Sequence, residues 1–253
     1  MKQKLKIALY FALATLPVAL VAGYLTGLWQ IDTLPEAVVE EALAQFSSLQ
    51  LLAVVTAVQA AGYALVLGFA GCLLAQLTGL WKPVKLEKKP VVMTLVLSLI
   101  FGIVFSLDYW TFGKWEPMIA DYVYDAITPI AVAAAVLYGG VVEEIMLRLF
   151  FMTGIAFVIG KVFCGKVPAQ QWKPWVFIAA NVIAAMIFAA GHLPATLMTF
   201  GSITPLMLFR CFLLNGGFGL LFGWLYRKYG IQYAMMAHAG LHIVSKVIWI
   251  LFV

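Results

Sequence analysis

The stretch that decides the fold is residues 127–162, at whose centre the chain reads Val141-Val142-Glu143-Glu144-Ile145-Met146-Leu147-Arg148. The whole run is apolar except at Glu143, Glu144 and Arg148, and the Gly139-Gly140 pair divides it. A helix that crosses a bilayer needs about 20 predominantly apolar residues, and this run exceeds that length. An ionised side chain at the membrane centre costs about 2.5–3.5 kcal/mol on insertion scales, so such residues read as functional by default. Glu144 and Arg148 are four apart, about 40° apart around an α-helix, and can pair. Glu143 points about 100° away from Glu144 and is left without that partner. A carboxylate in this position suits a general base. The structural alternative is one ion-pair cluster of both glutamates with Arg148 between helices.

Outward from this run, similar apolar tracts cover residues 5–29, 49–80, 91–107, 175–191, 203–226 and 231–253. That makes seven spans, or eight if residues 117–162 cross twice. The expected fold is an all-α, polytopic transmembrane helical bundle enclosing a polar intramembrane cavity. Long continuous runs exclude a barrel, whose strands are short and alternate. Composition agrees: 64% of the 253 residues are hydrophobic and 11% charged, against about 25% charged in soluble domains. A soluble domain, a disordered chain and a nucleic-acid binder are all excluded. The net charge of +5 resides in short lysine clusters between apolar runs. Cys72, Cys164 and Cys211 are odd in number and unpatterned, so they imply no disulfide framework. The chain is expected to form a single membrane-embedded domain over residues 1–253. Residues 1–90 are read as generic membrane helices and 120–253 as the catalytic core.

Basic residues set the orientation. Lys2, Lys4 and Lys6 precede the first span. Lys82, Lys85, Lys88 and Lys89 follow the second, and Lys161, Lys166, Lys173 and Arg227-Lys228 fill later connections. The segments with Asp32, Glu36, Glu40 and Glu41, and with Asp108, Glu116, Asp121 and Asp125, carry almost none. The basic loops are therefore expected to be cytoplasmic, with the N-terminus inside. The apolar run of the first span is longer than the 7–15 residues of a signal-peptide core, so it reads as an uncleaved helix.

The remaining intramembrane polar residues cluster late in the chain. His238 and His242 are four apart and face the same way from the last helix, as two hydrogen-bond donors or two metal ligands would. His192 precedes Leu193-Pro194, and the proline places it on the last turn of its helix. Asn181 reads as an interhelical hydrogen-bonder. Lys246 can snorkel to the surface, and so can Arg210 near a helix beginning.

Taken together, Glu143-Glu144-x-x-x-Arg148, then Phe188-x-x-x-His192, then His238-x-x-x-His242 resembles the CPBP family, the CAAX-protease and bacteriocin-processing (Rce1/Abi-like) intramembrane proteases. The resemblance covers about residues 120–253. It implies an intramembrane endopeptidase in which Glu143 and His192 activate a water. His238 and His242 stabilise the oxyanion, and Glu144 and Arg148 hold the site together. The family's third motif usually ends in Asn or Asp, where this chain has His242. The preferred mechanism is a metal-free glutamate one, and Zn²⁺ held by Glu143, His192, His238 and His242 is the alternative. The chain lacks His-Glu-x-x-His, so it is no zincin-type site. The resemblance implies a protein or peptide substrate, lipidated in part of the family, reached from the lipid bilayer, and a bacterial plasma membrane as location. A proton- or ion-coupled transporter, or a catalytically silent scaffold of the same fold, are the readings from other classes. One geometric demand follows. His192 lies about 25 Å along its helix and His238 only about 10 Å along its own, so the two meet only if helices tilt, break or start at different depths.

Overall fold

The structure is a computed structural model describing residues 1–33, 35–45 and 48–253. Among the described residues seven helices are long and apolar enough to cross a membrane: α1 (Lys2–Thr33), α2 (Leu49–Thr78), α3 (Lys88–Ser106), α4 (Pro129–Cys164), α5 (Pro174–Phe200), α6 (Pro205–Tyr229) and α7 (Ile231–Phe252). No strand occurs among the described residues. The all-α polytopic bundle therefore stands, and the protein is an integral membrane protein. The eighth span does not form. The tract before α4 contains the short helix Pro117–Ala126, whose 10 residues span about 15 Å, half a hydrocarbon core.

The helices pack through small residues, as they must where the surrounding lipid is as apolar as leucine. Ala8, Ala12, Ala19 and Ala22 of α1 and Ala53, Ala57, Ala60 and Ala64 of α2 are buried. Gly23 and Gly27 let these helices approach so closely that an added Cβ would meet the α2 backbone at 2.5–2.7 Å. On α3 and α7 the same role falls to Gly102 against Val244 and Gly240 against Ser98. Leu95, Leu99, Ile103, Val247 and Ile250 of those two helices point outward.

Two departures from regular α-helix position the site. In α4 the backbone widens into π-helical turns over Ala135–Glu143 and again over Ile145–Met152. Such i→i+5 winding is rare and concentrates at functional sites. Gly139-Gly140 was expected as a dividing point. The helix instead continues through both glycines, and their missing side chains admit α7: a Cβ on Gly140 would lie 2.8 Å from Ala239 Cβ. In α5 the first segment ends at Gly191 and the chain resumes helix at Leu193–Phe200. His192 lies at this joint, its backbone N–H donating to Ala189 O at 3.1 Å, and Pro194, which has no N–H of its own, opens the second segment.

Candidate active site

The close approach of α4 and α7 brings Glu143, Glu144, Arg148, His238 and His242 together. Glu144 has no exposed surface and Arg148 is 2% exposed. Arg148 Nη1 lies 3.4 Å from Glu144 Oε1. The His238 Nδ1–H donates to the same oxygen at 2.8 Å. The guanidinium lies between two aromatic faces, 4.7 Å from the Phe188 ring and 5.4 Å from the Phe222 ring. Gly219 gives it room, since a Cβ there would lie 3.2 Å from Arg148 Nη2. Arg148 is thus held by one carboxylate and two rings, and Glu144 meets both Arg148 and His238 through Oε1, its Oε2 being buried without a hydrogen-bond partner among the described residues.

Glu143 has a different environment. Its side chain is 22% exposed, and Oε2 lies 3.8 Å from His238 Nε2. That separation is too long for a direct hydrogen bond, and it leaves both groups within reach of one small molecule between them. The π-winding and the adjacency of the two glutamates therefore send one carboxylate into the protein and the other toward open space.

His238 is held by its Nδ1 bond to Glu144 and by stacking on Phe222, with centroids 4.5 Å apart and planes 19° apart. His242 stacks on His238 at 5.1 Å. Both Nε2 atoms converge on Gly139, where a Cβ would stand 3.0 Å from that of His242 and 3.1 Å from that of His238. The Nδ1 of His242 is buried without a hydrogen-bond partner among the described residues. His192 donates Nδ1–H to Phe188 O at 2.9 Å, which leaves Nε2 as its available nitrogen. The Phe188 ring contacts His192 at 4.6 Å and His238 at 6.2 Å. The depth mismatch foreseen from the sequence is met in this way: α5 breaks at His192, and one aromatic ring bridges the two levels.

All of these except Glu144 and Arg148 line one cavity of about 550 Å³. Its walls also include Thr26, Trp29 and Gln30 of α1, Thr56 and Gln59 of α2, Phe105, Ala195, Thr196, Phe218 and Trp249. The lining is therefore mixed, with aromatic and small apolar residues beside the polar ones. Helices α1 and α2 contribute part of the wall. The lining comes from the α1 end at Thr33 and the α5 end at Phe200, and includes no residue of the lysine-bearing connections. Tyr122 of the short helix Pro117–Ala126 stands at this end, 6.1 Å from the Trp29 ring and 5.7 Å from that of Phe200.

The donor set for a metal was tested on this geometry. His192 and His238 each anchor Nδ1 and present Nε2, a pattern common in metal-ligating histidines. Yet among the described residues no three His, Cys, Asp or Glu side chains are grouped closely enough to hold an ion. As placed, Glu143, His192, His238 and His242 do not form such a group.

Asn181 donates Nδ2–H to Leu220 O at 2.9 Å, the interhelical bond its position suggests. Sequence reading missed a second ionic group. Arg210 does not snorkel: it pairs with Asp108, Nε donating to Oδ1 at 2.7 Å and Nη2 bonding Oδ2. Lys246 does not snorkel either, being 5% exposed and lining the cavity. The signal for Asp108 was its place directly after an apolar run, with an arginine inside another run; its separation by 102 residues hid the pairing.

No curated protein and no solved structure matches the chain. Residues 125–244 match the family described as Type II CAAX prenyl endopeptidase Rce1-like. The matched segment runs from just before α4 through the π-wound glutamates, His192 and both histidines of α7, and over it the chain is similar to the Rce1-like family.

Proposed function

We propose that the protein is an intramembrane endopeptidase that hydrolyses a peptide bond with a water activated by Glu143. The observation that carries this reading is the divergence of two adjacent carboxylates. Glu144 is fully buried and bound to Arg148 and His238, while Glu143 faces the cavity with no cation bonded to it. Peptide hydrolysis needs a base for water, donors for the oxyanion and a proton for the leaving amine. Glu143 takes the proton of the water, with His192 Nε2 available beside it, and the same groups return a proton to the amine. His238 and His242 aim Nε2 at a common point and serve the oxyanion. The Glu144 carboxylate fixes the His238 ring through Nδ1, so that Nε2 faces the reacting centre. Such a donor is worth about 3–4 kcal/mol in kcat.

The substrate is a protein or peptide that enters the cavity from the membrane or its edge. With the lysine-rich connections in the cytoplasm, the cavity end at Thr33 and Phe200 faces away from it, so the cleaved segment lies on the non-cytoplasmic side. The test compares protein termini, by mass spectrometry, in cells carrying the wild-type protein or Glu143→Gln. The new termini should appear only with the wild type, because glutamine keeps the shape and removes the base. A general base contributes about 10²–10⁴-fold. Identical termini in the two strains would refute the assignment.

A further inference from the structure

Lys246 follows His242 by one helical turn and carries its ammonium into the same cavity. It is 5% exposed. Among the described residues it has no salt bridge: the nearby carboxylate, Asp108, bonds Arg210 through both oxygens. The Nζ atom instead lies 4.4 Å from the Trp249 ring centroid and 5.6 Å from that of Phe105. Two cations therefore share one carboxylate at this end of the cavity, and one positive charge is left over. Aromatic faces attract a cation and leave its ammonium hydrogens unbonded, so they orient Lys246 without consuming its donors. A buried ammonium either gives up its proton or takes an anionic partner, and beside the reacting groups a ligand anion is the partner that would hold it charged.

We infer that Lys246, with the Asp108–Arg210 pair behind it, forms an anion-binding subsite that holds a carboxylate of the peptide being cleaved. Only the identity of the ligand as a peptide rests on the peptidase reading. Along α7, Lys246 lies about 12 Å from His238 and about 6 Å from His242. An extended peptide spans about 3.3–3.6 Å per residue, so the bound carboxylate lies about two to four residues from the scissile bond. It comes from a chain terminus or from an Asp or Glu side chain. Lys246 is then a specificity-determining residue, and apolar neighbours such as Phe105 and Phe218 take the intervening side chains.

The experiment is equilibrium binding to the purified full chain in detergent, by calorimetry. Three probes are used: acetyl-Leu-Leu-Leu as the free acid, the same peptide as its amide, and acetyl-Leu-Asp-Leu amide. At least one acid should bind the wild type about tenfold more tightly than the all-leucine amide. Which acid does so identifies the terminus or the side chain. Lys246→Met should lose the preference, and Lys246→Arg should keep it. Lys246→Gln serves in place of the methionine variant if that protein does not fold. Equal binding of all three probes, binding of none, or a preference that survives in Lys246→Met overturns the subsite. Glu143→Gln should keep the preference. Loss of acid discrimination thus removes the subsite without touching the peptidase reading, and a fully active Glu143→Gln does the reverse.

Discussion

Gly139→Ala tests whether the two α7 imidazoles are placed where the chemistry needs them. The added methyl would lie 3.0 Å from His242 Nε2, 3.1 Å from His238 Nε2 and 3.2 Å from His242 Cδ2. Ordinary contact begins near 3.4 Å, so both rings must retreat by a few tenths of an ångström. His242 has room only by pressing on Phe105, whose ring lies 6.0 Å away edge-on, and His238 is backed by Phe222 at 4.5 Å. Against this strain, replacing glycine by alanine within a helix gains about 0.5–1 kcal/mol. The net effect on stability is therefore small. Catalysis is less forgiving, because a displacement of about 1 Å costs on the order of 10²-fold, and a smaller shift of two donors should cost about 10- to 100-fold. The assay is the cleavage rate of a substrate identified from the termini comparison, beside thermal melting of the same preparation in detergent. The expected result is an unchanged melting temperature with a lowered kcat. A Gly139→Ala protein that cleaves at the wild-type rate would refute the convergence of His238 and His242 on the reacting carbonyl.

Arg148→Ala should destabilise the protein as well as inactivate it. It strands the fully buried Glu144 and empties the space between Phe188 and Phe222, and breaking a buried pair from one side costs about 3–5 kcal/mol; an unchanged melting temperature would show that the pair contributes nothing. His242→Asn should keep substantial activity, since an amide supplies N–H donors, whereas His242→Leu should lose most of it. A stoichiometric metal in the wild-type preparation together with an inactive asparagine variant would instead favour a metal mechanism, because an amide is a poor zinc ligand. A cysteine at Thr199, which lines the cavity, should react with a membrane-impermeant maleimide in intact cells, and one at Lys166 only after lysis. The opposite pattern would turn the cavity toward the cytoplasm.

Hydropathy made the seven spans legible because each is set by one continuous local run, and spacing made the Glu144–Arg148 and His238–His242 pairs legible because i, i+4 neighbours lie on one face whatever the tertiary structure. Positions that depend on other helices were not legible in this way. Nothing local tells that Glu144 bonds a histidine 94 residues away, that Phe188 and Phe222 enclose Arg148, or that Asp108 leaves its loop for Arg210. The π-winding of α4 was equally hidden. It follows from the fit of Gly139-Gly140 against Ala239 and the histidines, whereas propensity alone marks glycines as points of breakage. Lys246 and Arg210 were misread for a related reason. Snorkelling is the expectation for a long cation near a helix end, and a cavity with a carboxylate inside it offers a closer polar environment than the membrane surface.

The charges of the two ionic groups complement one another across the cavity. Glu143, Glu144 and Arg148 formally leave one negative charge, while Asp108, Arg210 and Lys246 leave one positive charge. Summed over both groups the membrane interior carries no net charge, which lowers the penalty of placing six ionisable residues there. Each group alone is unbalanced, however, and the imbalance has a direction. In a site walled by aromatic rings and small apolar side chains such a field is weakly screened. It draws an anionic peptide end toward Lys246 and away from Glu143. It also keeps a substrate carboxylate away from the proton that Glu143 takes from the water. Cancelling the positive end by Lys246→Met should therefore disturb the register of a carboxylate-bearing substrate more than the chemistry itself, raising KM with kcat little changed. A fall in kcat at unchanged KM would mean that Lys246 acts on the reacting atoms and that the polarity of the cavity has been assigned to the wrong step.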